Sequence, residues 1–416
     1  MFEHRMLRMI PLLVTASLTL AAEDVARLPV GDPARREKEI TIQADTITDT
    51  TSGRNLTPAE LAAKLDDVRV VFVGESHTDP SFHQVQFQVV RELQKRGRRV
   101  LIGLEMFPTT AQPALDRWNG GKQTEQAFLD DSHWYLNWGY HWAYYREIFL
   151  FAREHGITFH GVNTPREVVA AVRKKGFKDL TPEETAAIPA KIDTTSAEHR
   201  RVVKALFSDD EGQLHTMSDQ VFEGMFSAQC TWDATMGFNA VQALRRSGGA
   251  KDIMVVLIGQ GHVAYGLGIQ RQAVNWFDGK MASVIPVHIE DLEGKDTAKV
   301  QASFADYLWG LSREEEPIFP SAGMSTRGGR NGQPMTVIDV HKDSPALAAG
   351  MKVGDVLVSM DGIPVNGLET YQTVMATKRW ADPVVFVVTR NQAPVTVTVL
   401  LRRKPPTGKE ASTKAS

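Results

Sequence analysis

Among its 416 residues the sequence has almost no cysteine, only Cys230. One thiol cannot build an internal disulfide framework, so the apolar core and hydrogen bonds must hold the fold. Neither sign of charge dominates. Lys and Arg total 47 against 50 Asp and Glu, which excludes the broad positive field of a nucleic-acid-binding protein. The short basic runs "RKK" (173–175) and "LRRK" (401–404) read as solvated faces or chain ends. No apolar run approaches the roughly 20 residues of a bilayer span. A phosphate-cradling loop is also missing, because "GLGIQ" (266–270) lacks the strand–loop–helix setting that such a site needs.

An address is present at the N-terminus. "MFEHRMLRM" supplies His4, Arg5 and Arg8, a short apolar run follows from Met9 to Leu20, and Ala21-Ala22 precede acidic Glu23-Asp24. This order is that of a secretory signal peptide over 1–22, cut near Ala21, where Thr19 and Ala21 give a small-x-small pattern. No cysteine follows the run, so a lipoprotein anchor is not expected. The expectation is a periplasmic or secreted protein.

Four apolar runs read as buried parallel strands: "VRVVFVG" (68–74), "RVLIGLEM" (99–106), "ITFHGVN" (157–163) and "IMVVLIGQG" (253–261). A fifth, "SVIPVHI" (283–289), is weaker. Helical patterns separate them. One begins with Asp79 as N-cap and Pro80 at the first position, carries Phe82, Val85, Val89 and Leu93 on one face, and stops at Gly97. A second helix is expected over roughly 140–155. Between the third and fourth strands, a long helical segment ending at Gly248-Gly249 reads as a lid over the sheet. Alternating strands and helices imply an α/β domain with a parallel sheet.

Parallel sheets bind ligands beyond the carboxyl ends of their strands, and the polar residues of this sequence gather at those ends. The first strand delivers Glu75 and His77, the second Glu105, the third Asn163, and the fourth Gln260 and His262. "VVFVGESH" and "VVLIGQGH" spell the same Gly-x-x-His ending, at Gly74/His77 and at Gly259/His262. Imidazole and carboxylate are good proton carriers and also ligate borderline metals, so Glu75, His77, Glu105 and His262 are candidate catalytic residues. His77, Glu105 and His262 are the candidate ligands of a divalent metal ion. Glycine before each histidine would let the backbone turn sharply and leave room for a ligand. His83, one turn into its helix, reads equally as a further ligand or as a helix-surface residue.

"VGESHTDPSFHQ", "IGLEMF", "GVNTPREV", "QCTWDATMG" and "IGQGHVAYGLGI" together resemble the haem-binding uptake proteins of the ChaN type, within the Tiki and erythromycin-esterase-like superfamily. The resemblance covers roughly residues 45–310. It implies a three-layer α/β domain with a central mostly parallel sheet and helical lid, haem binding, and a role in iron acquisition. In hydrolytic relatives, the residues matching Glu75, His77, Glu105 and His262 form the catalytic or metal-binding centre.

A haem needs aromatic walls and an axial ligand. "SHWYLNWGYHWAYYR" (132–146) holds three of the eight Trp and four of the seven Tyr. As a helix it would set Trp134, Trp138 and Trp142 on one stripe, either as core or as haem wall. Tyr140, His141 and Tyr144 are the candidate axial ligands. Asp233 and Gln229, one turn apart on the lid, would face the rim, with Arg166 as a partner for the carboxylate. Cys230 reads as core, since no cation stands near it in sequence to lower its pKa.

A change of composition near 312–334, rich in Gly, Pro and charge, precedes a second unit. "SAGM" (321–324) and "SPALAAGMKVGDVLVSMDGIPV" resemble a PDZ domain, small and β-rich. Its peptide groove would use Ala322, Gly323 and Met324 in the carboxylate-binding loop and Tyr371 on a helix near 367–378.

The expected organisation is therefore a signal peptide over 1–22, a ChaN-like α/β domain over 45–311, a PDZ domain over 318–403 and a disordered tail over 404–416. Two functions compete. One is haem binding for iron or haem uptake, with the PDZ domain taking a partner's C-terminus. The other is a metal-dependent hydrolase or peptidase built on the two Gly-x-x-His ends and Glu105. Expected partners are haem, a peptide or protein C-terminus and a second copy of the chain in a homodimer; nucleic acid and a stable membrane span are excluded.

Overall fold

The computed structural model describes residues 25–208, 218–289, 297–312, 317–330 and 332–403. The expected signal peptide and C-terminal tail lie outside them. The first domain contains β1 (Glu39–Gln43), β2 (Ile47–Asp49), β3 (Asn55–Leu56), β4 (Val70–Glu75), β5 (Arg99–Pro108), β6 (Thr158–Asn163), β7 (Asp252–Gly259), β8 (Met281–His288), β9 (Thr297–Gln301) and β10 (Tyr307–Leu311). Eight of these form one sheet in the order β3-β2-β10-β8-β4-β7-β5-β6, while β1 and β9 pair as a separate ribbon. From β10 to β6 every pairing is parallel, and β2 and β3 add antiparallel strands at one edge.

The side-chain period of two in a strand explains the layers. On β4, Val71 and Val73 enter one core cluster and Val70 and Phe72 the opposite one. The first cluster is closed by the helix Pro80–Lys95, through Val85, Val89 and Leu93. The second is closed by the 29-residue helix Asp219–Ser247, through Met236, Ala240 and Leu244. Asp79 caps the first of these helices by accepting from the Ser81 N–H at 2.9 Å. The second ends at Gly248, whose φ of 72° is the left-handed conformation that stops helices. Buried on both faces, β4 and β7 read in sequence as unbroken apolar runs.

The segment 132–146 is not one helix. Left-handed His133 opens a single turn, Trp134–Asn137; Gly139 then takes a φ of 86°, and a 3₁₀ turn spans Trp142–Tyr144. Only Arg146–Glu154 continues as α-helix. The expected helical stripe of tryptophans is therefore absent. Trp134 and Trp142 instead interlock with Trp118, Phe128 and Phe149 in the core, where each buried ring contributes roughly 1.5–3 kcal/mol. Their packing breaks the helix and leaves the intervening Trp138–His141 loop at the strand ends.

The second domain comprises β11 (Met324–Arg327), β12 (Thr336–Val340), β13 (Val356–Met360), β14 (Ile363–Pro364), β15 (Pro383–Arg390) and β16 (Ala393–Leu400), with helices Pro345–Ala348 and Leu368–Ala376. Its strand order is β11-β12-β13-β15-β16, with β14 on β13, so β11 is an edge. Asn391 and Gln392, both at positive φ, make the two-residue turn between β15 and β16.

Candidate functional site

β4 and β7 are neighbours, with Glu75 opposite Gly259. The two Gly-x-x-His endings therefore lie side by side, and β5 brings Glu105 from the other flank of β7. Gly259 makes this convergence sterically feasible. A Cβ there would lie 3.2 Å from His77 Cε1 and 3.6 Å from Glu105 Oε2. Its N–H donates to Glu105 Oε2 at 2.6 Å. At Gly74 a Cβ would come within 3.2 Å of the Gln260 backbone. Neither glycine has a positive φ. The chain does turn out of β7 at Gly259, into the 3₁₀ turn Gln260–His262, but without left-handed backbone, so what requires glycine here is close approach.

Around Glu75 the groups converge tightly. His77 Nδ1 lies 2.7 Å from its Oε1 and His83 Nδ1 3.0 Å from its Oε2. The Tyr145 hydroxyl donates to Oε1 at 3.0 Å and accepts from Trp138 Nε1 at 2.8 Å. His83 is buried between the rings of Tyr144 and Tyr145, so the helix-surface alternative for it is excluded. Burial alone would raise the pKa of Glu75, but the His83 charge and the His77 hydrogen bond outweigh it and hold the carboxyl far below its usual range. Against the same burial, Glu75 raises the pKa values of His77 and His83.

His262 occupies a second cluster. Its Nδ1 is 2.6 Å from Asp233 Oδ1 and 2.8 Å from Gln229 Nε2, while its Nε2 is 3.4 Å from Glu105 Oε1. Between two carboxylates, and despite burial, its pKa is pushed up to about 10, with Asp233 the stronger cause. The partner of Asp233 is therefore His262, with His199 Nε2 at 3.5 Å, and not Arg166, which donates to the Asn137 carbonyl. Burial pushes the His199 pKa down to about 4 and that of the core thiol Cys230 up to about 12.

Among the described residues, Glu75, His77 and Glu105 offer ligand atoms within 4.8 Å of one another. His262 is not part of that grouping; its Nδ1 is taken up by Asp233. Carboxylates and imidazole suit a divalent cation of the zinc or first-row type, and two negative charges close to one histidine would be relieved by it.

The three candidate axial ligands part company. The His141 Nε2–H donates to the Ala376 carbonyl, its Nδ1 accepts from the Ala143 N–H, and its ring stacks on Phe319. The Tyr144 hydroxyl accepts from the Ile318 N–H at 2.9 Å. Only the Tyr140 hydroxyl has no hydrogen-bond partner among the described residues. Its ring packs 4.8 Å from that of His77. Burial, with Glu105 and Glu75 nearby, pushes the Tyr140 pKa up to about 12.

All three line a cavity of about 620 Å³ between the domains. Met324 and Tyr371 line it from the second domain, as does Ser321. Ala322 instead packs in that domain's core, and the Gly323 N–H donates to Ser321 Oγ at 3.1 Å. Gly323, at φ 72°, has no space for a Cβ against Ser344. Sequence reasoning did not find His199 or Tyr145. The one available signal was an Asp on an apolar helix, which needs a buried cation.

Fold and site define an α/β protein whose clustered carboxylates and histidines end a parallel sheet beside an aromatic cavity. The chain belongs to the haem-binding uptake, Tiki superfamily, ChaN family, whose model matches residues 61–272, and it carries a PDZ domain, whose model matches 320–401. Among solved structures it is similar to ChaN of Campylobacter jejuni with cofacial haem binding: 16% identity, 63% of this chain, 95% of that chain, TM-score 0.50. That likeness shows the fold. The HtrA-type protease AlgW with a tripeptide is similar over 22% of this chain and 34% of its own, at 23% identity and TM-score 0.19. A serine endoprotease from Yersinia pestis is similar over 18% and 29%, at 23% identity and TM-score 0.16. No curated protein matches the sequence significantly. Among the described residues no helix is long and apolar enough to cross a membrane.

Proposed function

We propose that the chain is an exported haem-binding protein of iron or haem handling, in which Tyr140 holds the iron. Membership of a haem-binding family makes haem the natural ligand. One observation selects the residue: among the three candidates, Tyr140 alone keeps its hydroxyl uncommitted beside the cavity. Phenolate is an established haem ligand, and bound haem would supply redox-active iron. Glu75, His77 and Glu105 would then set the charge behind the Tyr140 ring. The PDZ domain is read as taking a partner's C-terminus. Export follows from the reading of residues 1–22.

Titrating the full chain with hemin tests this. A stoichiometric Soret shift is expected, and Tyr140→Phe should weaken it and change its position. A wild type that leaves hemin's spectrum unchanged defeats the reading.

A second reading rests on the Glu75, His77 and Glu105 grouping, which would hold a divalent metal for hydrolysis. Stoichiometric Zn²⁺ binding by calorimetry, lost in His77→Ala, is its expected result. Absence of binding at micromolar Zn²⁺ counts against it.

A further inference from the structure

The PDZ groove does not open freely to solvent. It lies between the edge strand β11 and the helix Leu368–Ala376, and residues of both line the interdomain cavity. Opposite them stands the Tyr135–Tyr144 segment of the first domain. The junction is built rather than incidental. His141 donates to the Ala376 carbonyl, His133 Nδ1 lies 3.0 Å from Glu369 Oε1, and Arg330 donates to the Leu136 carbonyl. Gly139 packs so closely on Gln372 that a Cβ would lie 3.3 Å from its side-chain nitrogen.

The walls have one chemistry. Tyr135, Tyr140 and Tyr144, with Phe319 packed against Tyr144 and His141, form one wall, Tyr371 and Met375 belong to the other, and Arg403 also lines the cavity. The Tyr144 hydroxyl is held by the linker and that of Tyr135 by the Trp142 backbone. The hydroxyls of Tyr140 and Tyr371, one from each domain, have no hydrogen-bond partner among the described residues. Both residues are half-buried and line the cavity, so one ligand seated there could accept from or donate to a hydroxyl of each domain. An extended peptide added to β11 would satisfy main-chain groups and would have no use for a tyrosine of the other domain. A flat apolar ligand with polar edges fits between two aromatic walls.

We propose that the PDZ groove is the second wall of the haem site, with Tyr371 contacting the haem that Tyr140 ligates. Haem and a peptide C-terminus then exclude each other from one cavity, and haem occupancy decides whether the PDZ domain can take a partner. This rests on the haem reading above.

The test uses the full chain and hemin. Tyr371→Ala should weaken hemin binding about tenfold or more and Tyr371→Phe by a few-fold. Both should leave the Soret position of the bound form unchanged, whereas Tyr140→Phe moves it. Hydrogen–deuterium exchange of the wild type should slow in 368–376 when hemin is added. Hemin affinity unaltered in Tyr371→Ala, with no protection of 368–376, overturns the proposal and leaves the groove to a peptide. If Tyr371→Ala fails to fold, protection in the wild type decides alone. A wild type without any Soret change defeats the haem reading itself, which is a different result.

Discussion

His77 and His262 follow neighbouring strands by the same Gly-x-x spacing, yet the surroundings of the two rings differ in kind. His262 is clamped, with Asp233 on one nitrogen and Glu105 facing the other, and its side chain is only 14% exposed. His77 has one carboxylate partner, keeps 29% of its side chain exposed, and lays its ring against Trp138 and Tyr140 beside the cavity. The same Gly-x-x-His spacing therefore yields one anchoring ion pair and one side chain open to a ligand. The long lid helix brings Asp233 and Gln229 down onto His262, whereas His77 takes its carboxylate from Glu75 of its own strand end, where the other motif has Gln260.

The largest expected effect breaks the anchor. Asp233→Asn removes the main partner of a buried imidazolium, and losing one member of a buried pair costs about 3–5 kcal/mol. Urea denaturation should show that loss, against about 1–2 kcal/mol for His77→Ala, because buried Glu75 keeps His83 and the Tyr145 hydroxyl when His77 is removed. Equal losses would erase the distinction between the two histidines.

Acid should act through the same anchor. His199 is buried, and its pKa of about 4 lies below the ordinary value of 6.5. A depressed histidine binds protons more readily unfolded than folded. Its contribution is therefore complete above pH 6.5 and is lost as pH falls from 6.5 toward 4, by about 3 kcal/mol at most. His199→Gln should flatten that part of the stability–pH curve. An unchanged curve would show that His199 is already charged in the folded protein.

Much of this was legible beforehand for physical reasons. Doubly buried strands announce themselves as apolar runs, and Asp79-Pro80 and Gly248 punctuate their helices by local chemistry. Glu75, His77, Glu105 and His262 could be grouped because strand ends of a parallel sheet share one rim. The 132–146 segment could not be read. Its tryptophan spacing fits a helix, but the contacts with Trp118, Phe128 and Phe149 that break it are non-local. Asp233 was likewise given Arg166 as partner, since nothing in the sequence tells that the lid descends on β7. Nor does local spacing reveal that Tyr371 and Tyr140 line one cavity from two domains.

The smallest effect on stability should be the sharpest probe of the comparison. Gly259 adopts φ −55°, a conformation open to alanine, so Gly259→Ala carries no backbone penalty. Its Cβ would nevertheless sit 3.2 Å from His77 Cε1, tighter than ordinary contact, and 3.6 Å from Glu105 Oε2. His77, the less restrained of the two, must give way, at a cost of about 1 kcal/mol. The three atoms nearest the methyl belong to His77 and Glu105, so the pair of His262 with Asp233 should survive. The expected outcome is a small change in the urea midpoint with a marked loss of Zn²⁺ binding by calorimetry and a shifted hemin spectrum. If ligand binding stayed intact while stability fell by several kcal/mol, the methyl would have been felt by the anchor, and His77 would be the more firmly held of the two.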